Sequence, residues 1–457
     1  MPAHDTAACR GVPAAAGVRE ARSQACGARR KRLHNGPMTG HPTLPQRRHW
    51  LKAGALAGLS SLAWPLATRA AAREATAEDW IPPEKLLADL PRQMQALGVP
   101  GIGIAVVADG ALAWSRTLGI ADAAHGTPVT DQTLFEVASL SKPVFAYLAL
   151  QLVDRGELDL DRPLVAYLRP DDLGTHPWVD RITARDVLRH STGLPNWRKD
   201  PARERLVPAV EPGTRIDYSG EAIFWLQRVV ETITGESLDG TARRLLFDPA
   251  GMRDSTYAWS ADAAARSVHG HRAHDDATPG PPAQVLREQW NAALRVAERE
   301  GTSLADWRYA DAARALAEVQ RATPPGLVNW PGDIMANAAA SLRCTVQDYA
   351  RFMALMVHAH RAPWELAPAT RALMLSKQID VPGRWTDKTL GWNLEATPRG
   401  PVIYHSGSNS GIFKNFALGD AARQRALVVL TNSGSGALLY RRIVRASTGL
   451  DLLAFDL

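Results

Sequence analysis

Cysteine is scarce in this chain of 457 residues, which holds only Cys9, Cys26 and Cys344. Two of them fall within residues 1–72 and Cys344 stands alone afterwards, so no disulfide framework can staple the main body together. Cys344 reads as a small buried residue. A basic surface is the second thing missing. The net charge is +6, but residues 1–72 carry eleven Lys/Arg against two Asp/Glu, and setting that +9 aside leaves the remainder at −3. A nucleic-acid partner is therefore not implied. Internal repeats and sustained low-complexity tracts are absent after residue 72, which excludes a repeat architecture. Long apolar runs are missing too. The stretch after Lys52 is diluted by Gly and Ala and interrupted at Trp64-Pro65, so it is short for a spanning helix and no stable membrane anchor is expected.

What is present describes a soluble globular protein, 46% apolar and 22% charged, long enough for two domains or one large two-part domain. Gln46-Arg47-Arg48-His49-Trp50-Leu51-Lys52, the short apolar stretch and Ala70-Ala71-Ala72 have the order of an export signal. The paired arginines resemble a bacterial twin-arginine signal, which implies the twin-arginine export machinery as a partner and a periplasmic or otherwise exported destination. Residues 1–72 are therefore expected to be an upstream segment plus signal, with translation starting at Met38 and cleavage near Ala72. Residues 73–457 would form the working domain.

Within that domain, Glu84 to Leu97 has helical spacing and stops at Gly98. Gly101 to Val107, Asp109-Gly110 and Ala111 to Ser115 read as a β-hairpin. An apolar helix is expected through Ala146 to Val153, stopping at Gly156. Residues 160–260 alternate short helical segments with Pro- and Gly-rich loops. Residues 261–335 are the least legible; Val285 to Val296 and Trp307 to Val319 have helical spacing, as a lid or as cover for apolar surface. Near the end, Val402 to Gly407, Gly411 to Leu418 and Arg425 to Leu430 are strand-like with short links, which argues for antiparallel pairing. A helix from about Ala437 to Ser447 follows.

Chemistry concentrates at Ser139 and Lys142. Three residues is close to one helical turn, so hydroxyl and amine would share a face at what reads as a helix start. An amine can take a serine's proton when burial and a nearby positive charge keep it partly neutral, and the helix start adds unpaired N–H groups for an oxyanion. Tyr218, in the loop Pro212 to Gly220, is a further candidate proton carrier if cations lower its pKa.

Ser139-x-x-Lys142, Tyr218-Ser219-Gly220 and His405-Ser406-Gly407 fall in the order and approximate spacing of the three boxes of the serine β-lactamase and penicillin-recognising superfamily. The chain most resembles its class C β-lactamase-related branch, which includes esterases, D-aminopeptidases and DD-peptidases. Supporting matches are His190 to Pro195, Pro212-Gly213-Thr214, Gly251 to Thr256 and Asp348 to Phe352, and the resemblance spans roughly residues 85–447. It implies an α/β (α+β) fold, an antiparallel sheet flanked by helices, with a helical subdomain inserted at about residues 160–335. It also implies Ser139 as the acylated nucleophile and Lys142 and Tyr218 as its proton carriers. The backbone N–H groups of Ser139 and Ser408 would form the oxyanion hole, and His405, Ser406 and Gly407 would bind substrate. No cofactor and no metal are implied.

Two residues depart from the pattern. Gly220 stands where an Asn commonly holds a substrate amide, and His405 where a Lys often attracts a carboxylate; imidazole is mostly neutral near pH 7. Both departures weaken the case for efficient β-lactam turnover and are similar to what esterase and D-aminopeptidase relatives tolerate; an esterase-like hydrolase is favoured, with a β-lactamase or D-amino-acid peptidase as the alternative. A zinc reading rests on His269-Gly270-His271-Arg272-Ala273-His274-Asp275-Asp276, where Ala273 occupies a position at which the H-x-H-x-D-H pattern needs Asp. An α/β-hydrolase is excluded because no G-x-S-x-G elbow occurs. A non-catalytic binding member of the family is disfavoured by the retention of Ser139, Lys142 and Tyr218.

Overall fold

The computed structural model describes residues 80–273, 283–323, 325, 329–359, 362–380 and 386–455, all within one compact unit. The proposed signal lies outside the described residues. Helix α1 (Glu84–Leu97) ends where Gly98 takes a φ of +64° and its N–H bonds back to Gln95, a left-handed stop that favours glycine. Strands β1 (Gly101–Ala108) and β2 (Ala111–Asp122) form the expected hairpin, with β2 longer than its alternation suggests. The remaining strands are β3 (Thr127–Pro128), β4 (Phe135–Glu136), β5 (Arg343–Cys344), β6 (Asp387–Lys388), β7 (Asn393–Thr397), β8 (Gly400–Asn409), β9 (Phe413–Asp420) and β10 (Arg425–Thr431). Eight of them make one antiparallel sheet in the order β3-β2-β1-β10-β9-β8-β7-β6, and β4 pairs with β5 separately.

The first and last parts of the chain thus meet at the centre of the sheet, where β1 pairs with β10 from Ile102 opposite Thr431 to Ala108 opposite Arg425. Every residue of β1 is buried, because both sheet faces are covered. Ile102, Ile104 and Val106 pack with Leu90 and Met94 of α1 and with Leu439 and Ile443 of the closing helix. Ala105 and Val107 point the other way, into the larger core. That core is centred on α2 (Ser141–Asp154), whose residues from Ser141 to Leu152 are all buried. A helix apolar on every side needs protein on every side. Helices α3 (Gly220–Thr234) and α6 (Val346–Val357) share its core.

Residues 261–335 contribute α4 (Ala283–Arg299) and α5 (Tyr309–Ala322). They pack against one another through Ala293, Val296, Ala297, Ala312 and Ala315, and against the body through Phe224 and Trp330. The closing helix α7 runs from Gly436 to Thr448.

Candidate active site

The site is built on the turn that leads into α2. Val137 N donates to Leu342 O at 3.0 Å and Leu140 N to Val137 O at 3.2 Å, so residues Ala138–Leu140 form a single 3-10 turn. Ser139 therefore sits just ahead of the α-helix rather than in its first turn. Ala138 has a φ of +55°, a left-handed conformation that costs a non-glycine residue on the order of 1 kcal/mol. Buried hydroxyls fix the turn from behind: Tyr349 Oη donates to Leu140 O at 2.9 Å and Tyr257 Oη to Ser141 O at 3.0 Å.

Lys142 Nζ lies 3.1 Å from Ser139 Oγ and donates to Ala339 O at 2.7 Å. The amine is almost fully enclosed, and burial, with a further push from the charge of Lys388, lowers its pKa to about 7. Near neutrality a large fraction of Lys142 is thus an amine with a lone pair facing a serine hydroxyl.

Tyr218 lies over this pair. Its ring is 4.7 Å from Lys142 Nζ and 5.7 Å from Lys388 Nζ, and it stacks on His190 at 4.3 Å between centroids. The hydroxyl is buried without a hydrogen bond of standard geometry. Burial pushes the Tyr218 phenol up from its ordinary range, and the Ser139 side chain offsets only part of that. The expectation that cations lower the pKa of Tyr218 is thereby overturned. The amine of Lys142 and the ammonium of Lys388 meet the ring face, whereas the hydroxyl end is desolvated.

Strand β8 forms the opposite wall. Its pairing with β7 stops at Asn393 opposite Tyr404, so from His405 onward only β9 pairs with it and its other edge is open to the cleft. His405 is buried and donates from Nδ1 to Ser406 O at 2.7 Å; burial, then the charges of Lys388 and Lys142, lower its pKa to about 3. It is a neutral imidazole throughout the physiological range. Ser406 and Ser408 line the cleft with Ser139, Lys142, Tyr218 and His405, around a cavity of about 390 Å³.

Gly407 does not line it. A Cβ on Gly407 would stand 2.2 Å from Val137 O and 3.4 Å from the Ala138 side chain. Its observed contribution is close approach, letting β8 lie directly against the Ser139 turn. Replacement of Gly407 by Ala is expected to cost about 1–3 kcal/mol by overpacking, read as a lowered thermal midpoint. Activity should fall at least tenfold with it, since small displacements of reacting groups are costly.

Two residues that sequence reading missed complete the cleft. Trp197 follows the His190 to Pro195 loop, and its indole lies on Gly220, where a Cβ would meet the ring at 2.3 Å. Lys388, on the two-residue β6, donates to Asn393 Oδ1 at 2.5 Å and lines the same cavity. It brings to the cleft the ammonium that His405 lacks, from a stretch with no motif around it. Substituting Lys388 by Met removes a positive charge that disfavours the protonated form of Lys142. The acid limb of the pH–rate profile is therefore expected to move to higher pH, with activity at pH 7 falling. An unmoved limb would show that burial alone sets the Lys142 pKa.

The histidines of the zinc reading lie elsewhere. His269 Nε2 is 3.7 Å from Asp122 Oδ2, and His271 Nδ1 donates to Asn432 O at 3.1 Å. Among the described residues no group of three His, Cys, Asp or Glu side chains is arranged to hold a metal ion, and His274, Asp275 and Asp276 lie outside them.

A serine beside a buried lysine, on a helix start walled by an antiparallel sheet, defines the serine hydrolases of the β-lactamase and transpeptidase fold. The chain belongs to the beta-lactamase family, whose sequence model matches residues 87–449. Among curated relatives, the unguisins hydrolase ungD′ of Aspergillus campestris is 26% identical over 76% of this chain and 62% of its own length. The esterase EstB of Burkholderia gladioli is 34% identical over 33% of this chain and 45% of its own. Penicillin-binding protein 4 of Amycolatopsis lactamdurans is 32% identical over 34% of this chain and 44% of its own. The matches thus span between 44% and 62% of these relatives. Of solved structures, the D-alanine carboxypeptidase AmpC of Burkholderia cenocepacia superposes with a TM-score of 0.57 at 19% identity, over 83% of this chain and 99% of that one. The octameric penicillin-binding protein homologue of Pyrococcus abyssi gives 0.57 at 18%, over 78% and 76%. At these identities the likeness concerns the fold.

Proposed function

We propose that this serine hydrolase is exported, needs no cofactor, and cleaves esters through an acyl-enzyme on Ser139. The observation that carries the reading is the 3.1 Å approach of Ser139 Oγ to an amine whose pKa is brought down to about 7. Neutral Lys142 takes the hydroxyl proton as Oγ bonds to the substrate carbonyl carbon. The oxyanion that forms is held by the backbone N–H groups of Ser139 and Ser408. Collapse breaks the bond to the leaving group, which receives the proton from Lys142 by way of Tyr218. Water then attacks the acyl ester, passes its proton back along the same path, and the acid departs as Ser139 is restored.

The ester preference is supported by Gly220, which has no amide to hold a substrate amide, and by the likeness to an esterase. A second reading, a β-lactamase or D-amino-acid peptidase, is favoured by the Lys388 ammonium, which suits a substrate carboxylate. Export is supported by the charged, apolar and small-residue order of residues 46–72. The test is hydrolysis of p-nitrophenyl butyrate and nitrocefin by the purified protein beside Ser139→Ala. Butyrate turnover lost in the variant, with little nitrocefin cleavage, is the expected result. Strong nitrocefin turnover lost in the variant would establish the second reading, and activity surviving Ser139→Ala would overturn both. An N-terminal sequence beginning near residue 73 in a periplasmic fraction would test export.

A further inference from the structure

Beyond the catalytic cleft lies a larger chamber of about 560 Å³, and Trp197 borders both. Its indole is 43% exposed, unusual for so large an apolar side chain, and meets Trp330 edge-on at 6.4 Å between centroids. The ring is not there by chance of a loose loop. Gly220 N donates to Asn196 Oδ1 at 2.9 Å, Glu221 N to Asn196 O at 3.0 Å, and Arg198 N to Glu221 Oε1 at 3.0 Å. Residues on either side of Trp197 are thus clamped to the start of α3, and the indole is pressed onto Gly220, within 2.3 Å of where a Cβ would stand. Glycine at this position makes room for the ring. The far wall comes from the segment illegible in the sequence: Tyr309 and Leu316 of α5, then Trp330. Buried Arg198 on the chamber wall is neutralised by Asp172 at 2.7 Å and Glu221 at 2.9 Å. Asp333 accepts from Trp330 N and Asn329 donates to Thr323 Oγ1, both at 2.9 Å, while Lys199 and Asp200 also line the chamber; most of the rest is aromatic or aliphatic, in a volume ordinary for a small-molecule site.

On the reading that Ser139 is acylated, the leaving group departs toward the residues that protonate it, Lys142 and Tyr218, which are flanked by Lys388, His190 and His405. Trp197 lies outside that set and contacts Gly220 and Trp330 instead. We propose that Trp197 and the chamber behind it form the acyl subsite, and that this subsite takes a bulky apolar acyl group bearing an aryl ring or branched chain. Tyr309, Ala313 and Leu316 of α5, with Trp330, are then a specificity wall and not merely cover for the core.

The experiment compares kcat/KM for p-nitrophenyl 4-phenylbutyrate and p-nitrophenyl acetate in the full chain, in Trp197→Ala and in Ala313→Trp. Ala313 is exposed on α5 at the chamber, so a Trp there fills the space without touching the Ser139 turn. Each substitution is expected to lower the phenylbutyrate-to-acetate ratio about tenfold, chiefly through KM. A ratio unchanged in both variants overturns the proposal. So does an equal loss for 4-phenylbutyl acetate with no loss in the acyl series, which would put the alcohol there. A further arm needs no turnover: calorimetric binding of 4-phenylbutyrate to Ser139→Ala. Binding weakened about tenfold by adding Ala313→Trp supports the chamber even if Ser139 proves not to be the nucleophile; absent or unaltered binding overturns it.

Discussion

Lys142→Met is expected to lower kcat for p-nitrophenyl butyrate about 10³- to 10⁴-fold while the protein folds at least as well as before. The loss follows from geometry. Lys142 Nζ is 3.1 Å from Ser139 Oγ, and His405 across the cleft is no substitute, since burial and the charges of Lys388 and Lys142 lower its pKa to about 3 and leave it too weak a base. Stability at neutral and acid pH changes in the opposite direction. Lys142 titrates at about 7 in the fold against an ordinary 10.5, so the folded state disfavours the ammonium. That penalty is absent above pH 10.5, grows as pH falls, and is complete below 7, where it amounts to about 5 kcal/mol. Met removes it but leaves Ala339 O without its donor, which returns about 1–3 kcal/mol. Thermal midpoints should therefore be raised by the substitution at pH 6, where the penalty exceeds the lost bond, and lowered at pH 10, where the lost bond dominates. Full activity in Lys142→Met would refute its role as base; a midpoint lowered at pH 6 would refute the buried, destabilising amine.

The second large effect is expected from Tyr218→Phe, about 10²-fold or more in the acylation rate for alkyl esters. Burial keeps the phenol protonated across the working range, so Tyr218 acts as a relay that accepts one proton while giving another, not as a phenolate base. The relay matters most when the leaving group must be protonated. Ethyl butyrate, which releases a strongly basic alkoxide, should suffer far more than p-nitrophenyl butyrate, whose leaving group departs as a stable anion. The acid limb set by Lys142 should stay in place, because the phenol carries no charge. Equal losses with both esters would reduce Tyr218 to a packing residue between His190 and Lys142.

The third prediction of consequence, at Lys388, shows where sequence reading ends. Ser139, Lys142 and Tyr218 were legible because their motifs are local: a hydroxyl and an amine one turn apart, and a tyrosine in a loop rich in Pro and Gly. Lys388 had no such signal. It belongs to a two-residue strand whose place beside Tyr218 is set by pairing with β7. Trp197 belongs to no motif, and its seat on Gly220 depends on the hydrogen bonds of Gly220 N to Asn196 Oδ1 and of Arg198 N to Glu221 Oε1 at the start of α3. Gly220 was legible as a departure from the pattern, but not the ring that occupies the space a side chain there would need.

The chain's order of residues determined α1 and its left-handed stop at Gly98, the β1–β2 hairpin, the closing strands, the buried α2 and the serine–lysine pair at its head. These follow from periodicity, turn chemistry and spacing, which act over a few residues. Tertiary structure alone decided that β1 pairs with β10 at the centre of the sheet, that Gly407 is a contact against Val137, and that Tyr309, Leu316 and Trp330 wall a chamber. It also set the pKa of Lys142 near 7 and pushed that of Tyr218 upward. Desolvation and the charge of Lys388 depend on which distant segments close over a group, and no local pattern encodes that.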